Sequence, residues 1–232
     1  MTTLTDSKLS LNDIKLLITC CYKDPNKQAL QYVYFDGVTA TSVDGHRVYS
    51  VPYIHNEKPF LIKGSDLKTI IKGSKKHDYF TIGVNSPDKR MESDIGKFPQ
   101  VELLLPQAAK HHLLIDPMLE PKLANAINDV SMTYVALQVK DKIIQITHGY
   151  QTESRDFRWL GNPLELELGY PNNVDSIVFL QKYISDLATV SFNRIEITDN
   201  KSPVVFHGQG GNYLLLMPFC STTKERLNPF AQ

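Results

Sequence analysis

Val43-Asp44-Gly45-His46-Arg47-Val48 is the stretch on which the reading of this chain depends. It lies between two apolar, β-prone runs, Leu30 to Phe35 and Val48 to Tyr53. Asp-Gly suits a tight strand reversal, because glycine tolerates positive φ and aspartate hydrogen-bonds its own backbone. The segment therefore predicts a hairpin that presents a rigid His46-Arg47 pair at the edge of a small sheet. Alone it would be an ordinary corner. Two further segments, Lys97 to Pro106 and Tyr213 to Phe219, give it context.

The composition bounds the answer. A length of 232 residues suits two domains of ordinary size or one large one, with enough chain for a real core. Acidic and basic residues balance at 25 each, so no global field declares a nucleic acid or a membrane, although charge segregated by face is still compatible with DNA. Cys20, Cys21 and Cys220 are odd in number and two are adjacent, which argues against a disulfide framework and for a reducing compartment. No apolar run approaches the roughly twenty residues that span a bilayer. Met1 to Ser10 is polar and lacks the apolar stretch of a secretion signal. The chain reads as soluble and cytoplasmic, with no membrane partner.

A helix–strands–helix–strands pattern occurs twice. The first half opens with an amphipathic helix around Ser10 to Tyr22, whose Ile14, Leu17, Ile18 and Cys21 share one face. Strands follow from Leu30 to Tyr53. A second helix starts at Ser65, a good N-cap, and runs to Gly73. Short strands then lead to Phe98-Pro99 and the apolar run Val101 to Pro106. The second half opens with a helix from Asp116, with Pro117 in its first turn and Leu119, Leu123, Ala126, Ile127 and Val130 as its stripe. Tyr134 to Val139 and Lys142 to Thr147 read as strands joined by a turn at Lys140-Asp141. Strands around Glu153 to Trp159 and Leu164 to Leu168 follow, then a helix over Ser176 to Thr189. Arg194 to Thr198, Val204 to His207 and Tyr213 to Met217 complete the sheet. Both halves close on matching text, Leu103-Leu104-Leu105-Pro106 and Leu214-Leu215-Leu216-Met217-Pro218. A period this long means two domains of one fold, with Gln107 to Ile115 as the linker.

The helices carry the local charge. Between Lys63 and Lys76 there are five lysines against the single acid Asp66. Lys68, Lys72 and Lys75 share one face, and Lys8, Lys15 and Lys23 form a comparable stripe on the first helix. The second half offers Lys122 and Lys182. These faces are either solvated surface or a surface that tracks phosphates without reading bases.

No catalytic constellation accompanies Asp44, His46 and Arg47: there is no nucleophile motif, Walker loop, His-Glu-x-x-His or spaced carboxylate cluster. His111-His112 reads as polar linker. Cys20 and Cys21 sit in a helix as small hydrophobes, one facing the core. Gly208-Gln209-Gly210-Gly211 opens no helix and reads as a hairpin loop, not a phosphate cradle. An enzyme is not expected, nor a cofactor or a metal.

Ser42 to Val48, Lys97-Phe98-Pro99 with Leu104-Leu105-Pro106, and Tyr213 to Phe219 with Met217-Pro218 together resemble the bacterial replicative sliding clamp, the β subunit of DNA polymerase III. The resemblance runs from the helix near Ser10 to Phe219, and it is to the second and third domains of that three-domain clamp. It implies an α+β, ring-forming fold of two tandem clamp domains, 1–107 and 108–220, each with two helices packed on antiparallel sheet, and a tail over 221–232. Clamps of this family encircle duplex DNA with six similar domains as two subunits of three, so a two-domain chain would restore six as a homotrimer. The small format implies a phage or mobile-element clamp working in the host cytoplasm. Its helices would face DNA through Lys8, Lys15, Lys23, Lys68, Lys72, Lys75, Lys122 and Lys182.

In the same family an apolar pocket accepts short peptides of polymerases, the clamp loader and repair proteins. Carried over, its wall is Val43, Gly45, His46, Arg47, Val48, Pro106, Met217, Pro218 and Phe219, with Phe179 on the last helix. Val43 stands where the family usually has threonine, Phe219 where it has an aliphatic residue or methionine, and Cys220 where a basic residue is common. The tail residues Leu227-Asn228-Pro229-Phe230 are either disordered or an occupant of such a pocket. The leading expectation is a DNA polymerase processivity factor. Its alternatives are a clamp-like adaptor or decoy that binds peptides without encircling DNA and, remotely, a small phosphate-handling enzyme.

Overall fold

The computed structural model describes residues 8–73, 78–82, 89–128, 132–153, 157–220 and 230. The chain divides into two compact units, one of Met1–Glu102 with Gly210–Leu214, the other of Leu103–Gln209 with Leu215–Gln232.

In the first unit, β1 (Leu9–Ser10) leads directly into α1 (Leu11–Thr19). Ser10 caps this helix reciprocally: its hydroxyl accepts from the Asp13 N–H at 3.1 Å, while the Asp13 carboxylate accepts from the Ser10 N–H at 3.3 Å. The helix buries Ile14, Leu16 and Leu17 and leaves Lys15 outside. Next come β2 (Tyr32–Phe35), β3 (Thr39–Val43), β4 (Arg47–Pro52) and β5 (Phe60–Lys63), an antiparallel sheet in the order β5-β2-β3-β4. Along β2, Val33 and Phe35 are fully buried while Tyr32 and Tyr34 are half-buried, the alternation of a strand with one core face. Phe35 stacks on Phe60 at 4.8 Å and meets Tyr53 edge-on at 5.5 Å. Then follow α2 (Gly64–Gly73), which packs against α1, β6 (Tyr79–Phe80), which pairs with β1, and the short α3 (Glu92–Ile95). Cys20 and Cys21 are both buried, where one was expected to be. Val101–Leu104 forms a 3-10 turn, with Leu103 strongly exposed.

The second unit opens with β7 (His111–Leu114), followed by α4 (Glu120–Ile127), β8 (Tyr134–Gln151), β9 (Phe157–Trp159), β10 (Leu164–Leu180), α5 (Gln181–Ile184) with a 3-10 turn to Thr189, β11 (Arg194–Ile197), β12 (Val204–His207) and β13 (Tyr213–Leu216). The division between the units falls inside β13. One antiparallel sheet has the order β10-β8-β9, and β7, β11 and β12 pair antiparallel in that order.

Several expectations are corrected here. His111-His112 is not linker but strand, paired to β11, with His111 Nδ1 at 2.9 Å from Asn172 Oδ1. The expected turn at Lys140-Asp141 is the middle of one strand, where Asp141 takes φ 54° and the register with β10 shifts between Glu167 and Asn172. The helix expected over Ser176 to Thr189 begins only at Gln181, because Ile177 to Leu180 pair with Leu137 to Tyr134 on β8. The helix expected from Asp116 begins at Glu120. Asp116 instead caps the preceding turn, its carboxylate accepting from the N–H groups of Met118 and Leu119 at 2.7 and 2.8 Å. Val130 and Lys75 lie outside the described residues.

Candidate functional site

The Asp44-Gly45 turn closes β3 onto β4 with Val43 opposite Val48. Asp44 Oδ1 accepts from the N–H groups of His46 and Arg47 at 2.9 and 3.0 Å, and Gly45 adopts φ +88°. The expected His-Arg pair splits. His46 is exposed, whereas Arg47 turns inward and is buried. Its Nε donates to Asp44 Oδ2 at 2.8 Å and its Nη2 to the Thr19 carbonyl at 2.9 Å. The guanidinium therefore satisfies a carbonyl in the last turn of α1 and locks the hairpin to that helix end. Nothing within 4 Å would meet a Cβ added at Gly45, so its surface is open. The remaining first-unit candidates, Val43 and Val48, are buried core.

In the second unit, Phe179 lies in β10 and not on a helix, and it is buried opposite Val135. Pro218 is buried, Pro106 and Phe219 are half-buried, and Met217 is exposed. Phe219 N–H donates to the Val178 carbonyl at 2.7 Å, which draws the segment after β13 alongside the end of β10. The accessible members of the expected pocket wall are thus Gly45, His46 and Met217, with Pro106 and Phe219 partly so.

Three arrangements escaped the sequence. Tyr49, fully buried, donates its hydroxyl to Asp13 Oδ1 at 2.5 Å and accepts from Asn212 Nδ2 at 3.2 Å. Burial first, and then the Asp13 carboxylate, raise its phenol well above the ordinary tyrosine value. Next to α1, burial and then the nearby Asp44 charge push the Cys21 thiol up to about 12. A cleft of ≈ 670 Å³ in the first unit is lined by Tyr34, Asp36, Glu92, Lys97, Phe98 and Glu102, with Phe98 stacked on Tyr34 at 5.1 Å. In the second unit, Tyr134, Phe157 and Phe219 form a ring cluster with centroids 5.0 to 6.1 Å apart. Spacing alone showed none of these, since each joins residues from distant strands.

Among the lysines expected to face DNA, Lys8, Lys15, Lys23, Lys68, Lys72, Lys122 and Lys182 are all exposed. Lys15 lies on α1, Lys68 and Lys72 on α2, Lys122 on α4 and Lys182 on α5, where its ammonium sits 4.6 Å from the Tyr183 ring centre. Among the described residues, no three His, Cys, Asp or Glu side chains are grouped to hold a metal ion, and no helix is long and apolar enough to cross a membrane.

Neither a protein-family profile nor a curated protein matches the sequence. Solved structures do match its fold. The DNA polymerase sliding clamp of Bacillus subtilis superposes with a TM-score of 0.69 at 14% identity, over 95% of this chain and 66% of that one. The DNA polymerase III β subunit of Thermotoga maritima gives 0.67 at 15% identity, over 93% and 65%. The pol III β of Caulobacter crescentus gives 0.66 at 17%, over 95% and 68%. The chain has the α+β fold of bacterial sliding clamps, few helices on antiparallel sheets, and spans about two thirds of the length of these relatives.

Proposed function

We propose that this chain is a DNA polymerase processivity factor: a sliding clamp that holds a polymerase on duplex DNA and catalyses no reaction. The observation that carries the reading is the fold, which matches bacterial sliding clamps across 95% of the chain. The exposed lysines on α1, α2, α4 and α5 support it, since helix lysines supply point charges for phosphates and little base-edge geometry. DNA contact would be independent of sequence. With two units per chain, three chains make a six-unit closed ring through a head-to-tail interface, so a homotrimer is the assembly expected. Peptides of the polymerase and the loader are assigned to two segments, exposed Gly45-His46 and exposed Met217 with Phe219. Methionine gives an adaptable apolar contact there, and glycine permits close backbone approach. The small format fits a phage-type clamp acting in the host cytoplasm.

Solution mass is the first test: a trimer supports the ring, and a stable monomer removes it. Retention on circular duplex with release on linearisation is the second. A chain that binds a polymerase peptide but is never retained on circles is an adaptor. Exchanging Lys15, Lys68 and Lys72 for alanine should lower the slope of log affinity against log salt by roughly three.

A further inference from the structure

Phe230 is half-buried, and it packs on the apolar face built from Tyr134, Ala136 and Val178, together with Phe157, Trp159, Leu180 and Phe219. We propose that this face is a docking site for an aromatic side chain of a short peptide segment, and that Phe230 of the chain's own C-terminal segment is its resident ligand.

The chemistry favours a ring as occupant. Tyr134 meets Phe157 at 5.1 Å and 61°, and Phe219 at 5.0 Å and 53°, so the rings present edges and faces at an angle. A further ring finds edge-to-face partners there. Ala136, fully buried, leaves room on the floor that a larger side chain would fill. The face borders β9, a three-residue strand that pairs only with β8 in its sheet. Pro229 precedes Phe230 in sequence, and its fixed φ lowers the entropy cost of holding the ring in place. Phe219 belongs both to this face and to the segment assigned above to partner peptides. An outside peptide using that segment would therefore compete with Phe230. This last step rests on the proposed function; the docking of Phe230 does not.

Trp159, the one tryptophan of the chain, provides the readout. It packs on the same face, opposite Gly149, where an added Cβ would meet its ring at 2.6 Å. The full chain and its Phe230→Ala variant are compared by tryptophan emission and thermal midpoint, and the variant is then titrated with a synthetic peptide of residues 221–232. Docking predicts that Phe230→Ala shifts the emission, that the peptide restores it, and that the same peptide carrying the Phe230→Ala change binds at least about tenfold more weakly. The unsubstituted full chain should bind the added peptide at least about tenfold more weakly than the variant, because its own segment competes at high effective concentration. A Phe230→Leu chain should fall between the two. Identical emission in all three chains, or equal binding of both peptides, overturns the proposal. Neither measurement involves DNA, so a failure here leaves the clamp reading intact, and a monomeric mass would sink that reading without touching this one.

Discussion

The first unit is locked by charge and hydroxyls, the second by rings. Around the Asp44 turn, a buried ion pair, a backbone carbonyl and the Asp13–Tyr49–Asn212 chain each satisfy the others. Around Phe219, three aromatic rings and two small aliphatic residues do the same job without a charge. Removing one member of the polar lock strands a buried partner, whereas removing a ring forfeits contact area only. The two regions should therefore fail differently.

The largest effect is expected at Arg47. Arg47→Ala leaves the Asp44 carboxylate buried and the Thr19 carbonyl unpaired, a loss of about 3 kcal/mol in chemical denaturation. Pairing Arg47→Met with Asp44→Asn should recover a large part of it, because no charge is then stranded. A cost below about 1 kcal/mol for Arg47→Ala would erase the contrast between the regions.

Phe219→Ala comes next, at about 2 kcal/mol for a half-buried ring in a cluster, and the loss should be the same in low and high salt. A salt-dependent loss would mean that charge matters there too.

Alkaline pH probes the polar region alone. The Cys21 thiol is raised from 9.0 to about 12 in the fold. Above pH 9 the unfolded chain releases this proton and the folded chain keeps it, so stability falls as pH rises from 9 towards 12. The deficit is about 1.4 kcal/mol by pH 10. Tyr49, also raised, adds to the fall above its ordinary value of 10.0. A thermal midpoint followed from pH 8 to pH 10.5 should decline less steeply in Cys21→Ala, and parallel curves would refute the assignment.

The smallest change is Ser10→Ala, which removes the α1 cap for about 1 kcal/mol and should leave emission from Trp159 unaltered.

Local chemistry was readable where its cause was local. The Asp44-Gly45 reversal, the Ser10 start of the first helix and the alternation along Tyr32 to Phe35 all rest on neighbours within a few residues. The misreadings share the opposite cause. Lys140-Asp141 has turn-like composition, yet Asn173 and Asn172 across the sheet supply strand partners, so the chain bends at a bulge and continues. Ser176 to Leu180 fits helix or strand by period alone, and pairing with Tyr134 to Leu137 decided for strand. The matching text at Leu103-Pro106 and Leu214-Pro218 diverged for the same reason: one became an exposed 3-10 turn, the other a buried strand.

By itself, the sequence determined where the backbone reverses, where helices are capped and which faces are apolar, because those outcomes depend on φ preferences and hydrogen bonds a few residues long. Only the tertiary structure decided the direction of Arg47 and the company of Phe219 and Phe230. The guanidinium's second acceptor lies 28 residues away, at Thr19, and the aromatic face draws on β8, β9, β10 and the segment after β13. A side chain that must satisfy partners this distant takes its orientation from the fold.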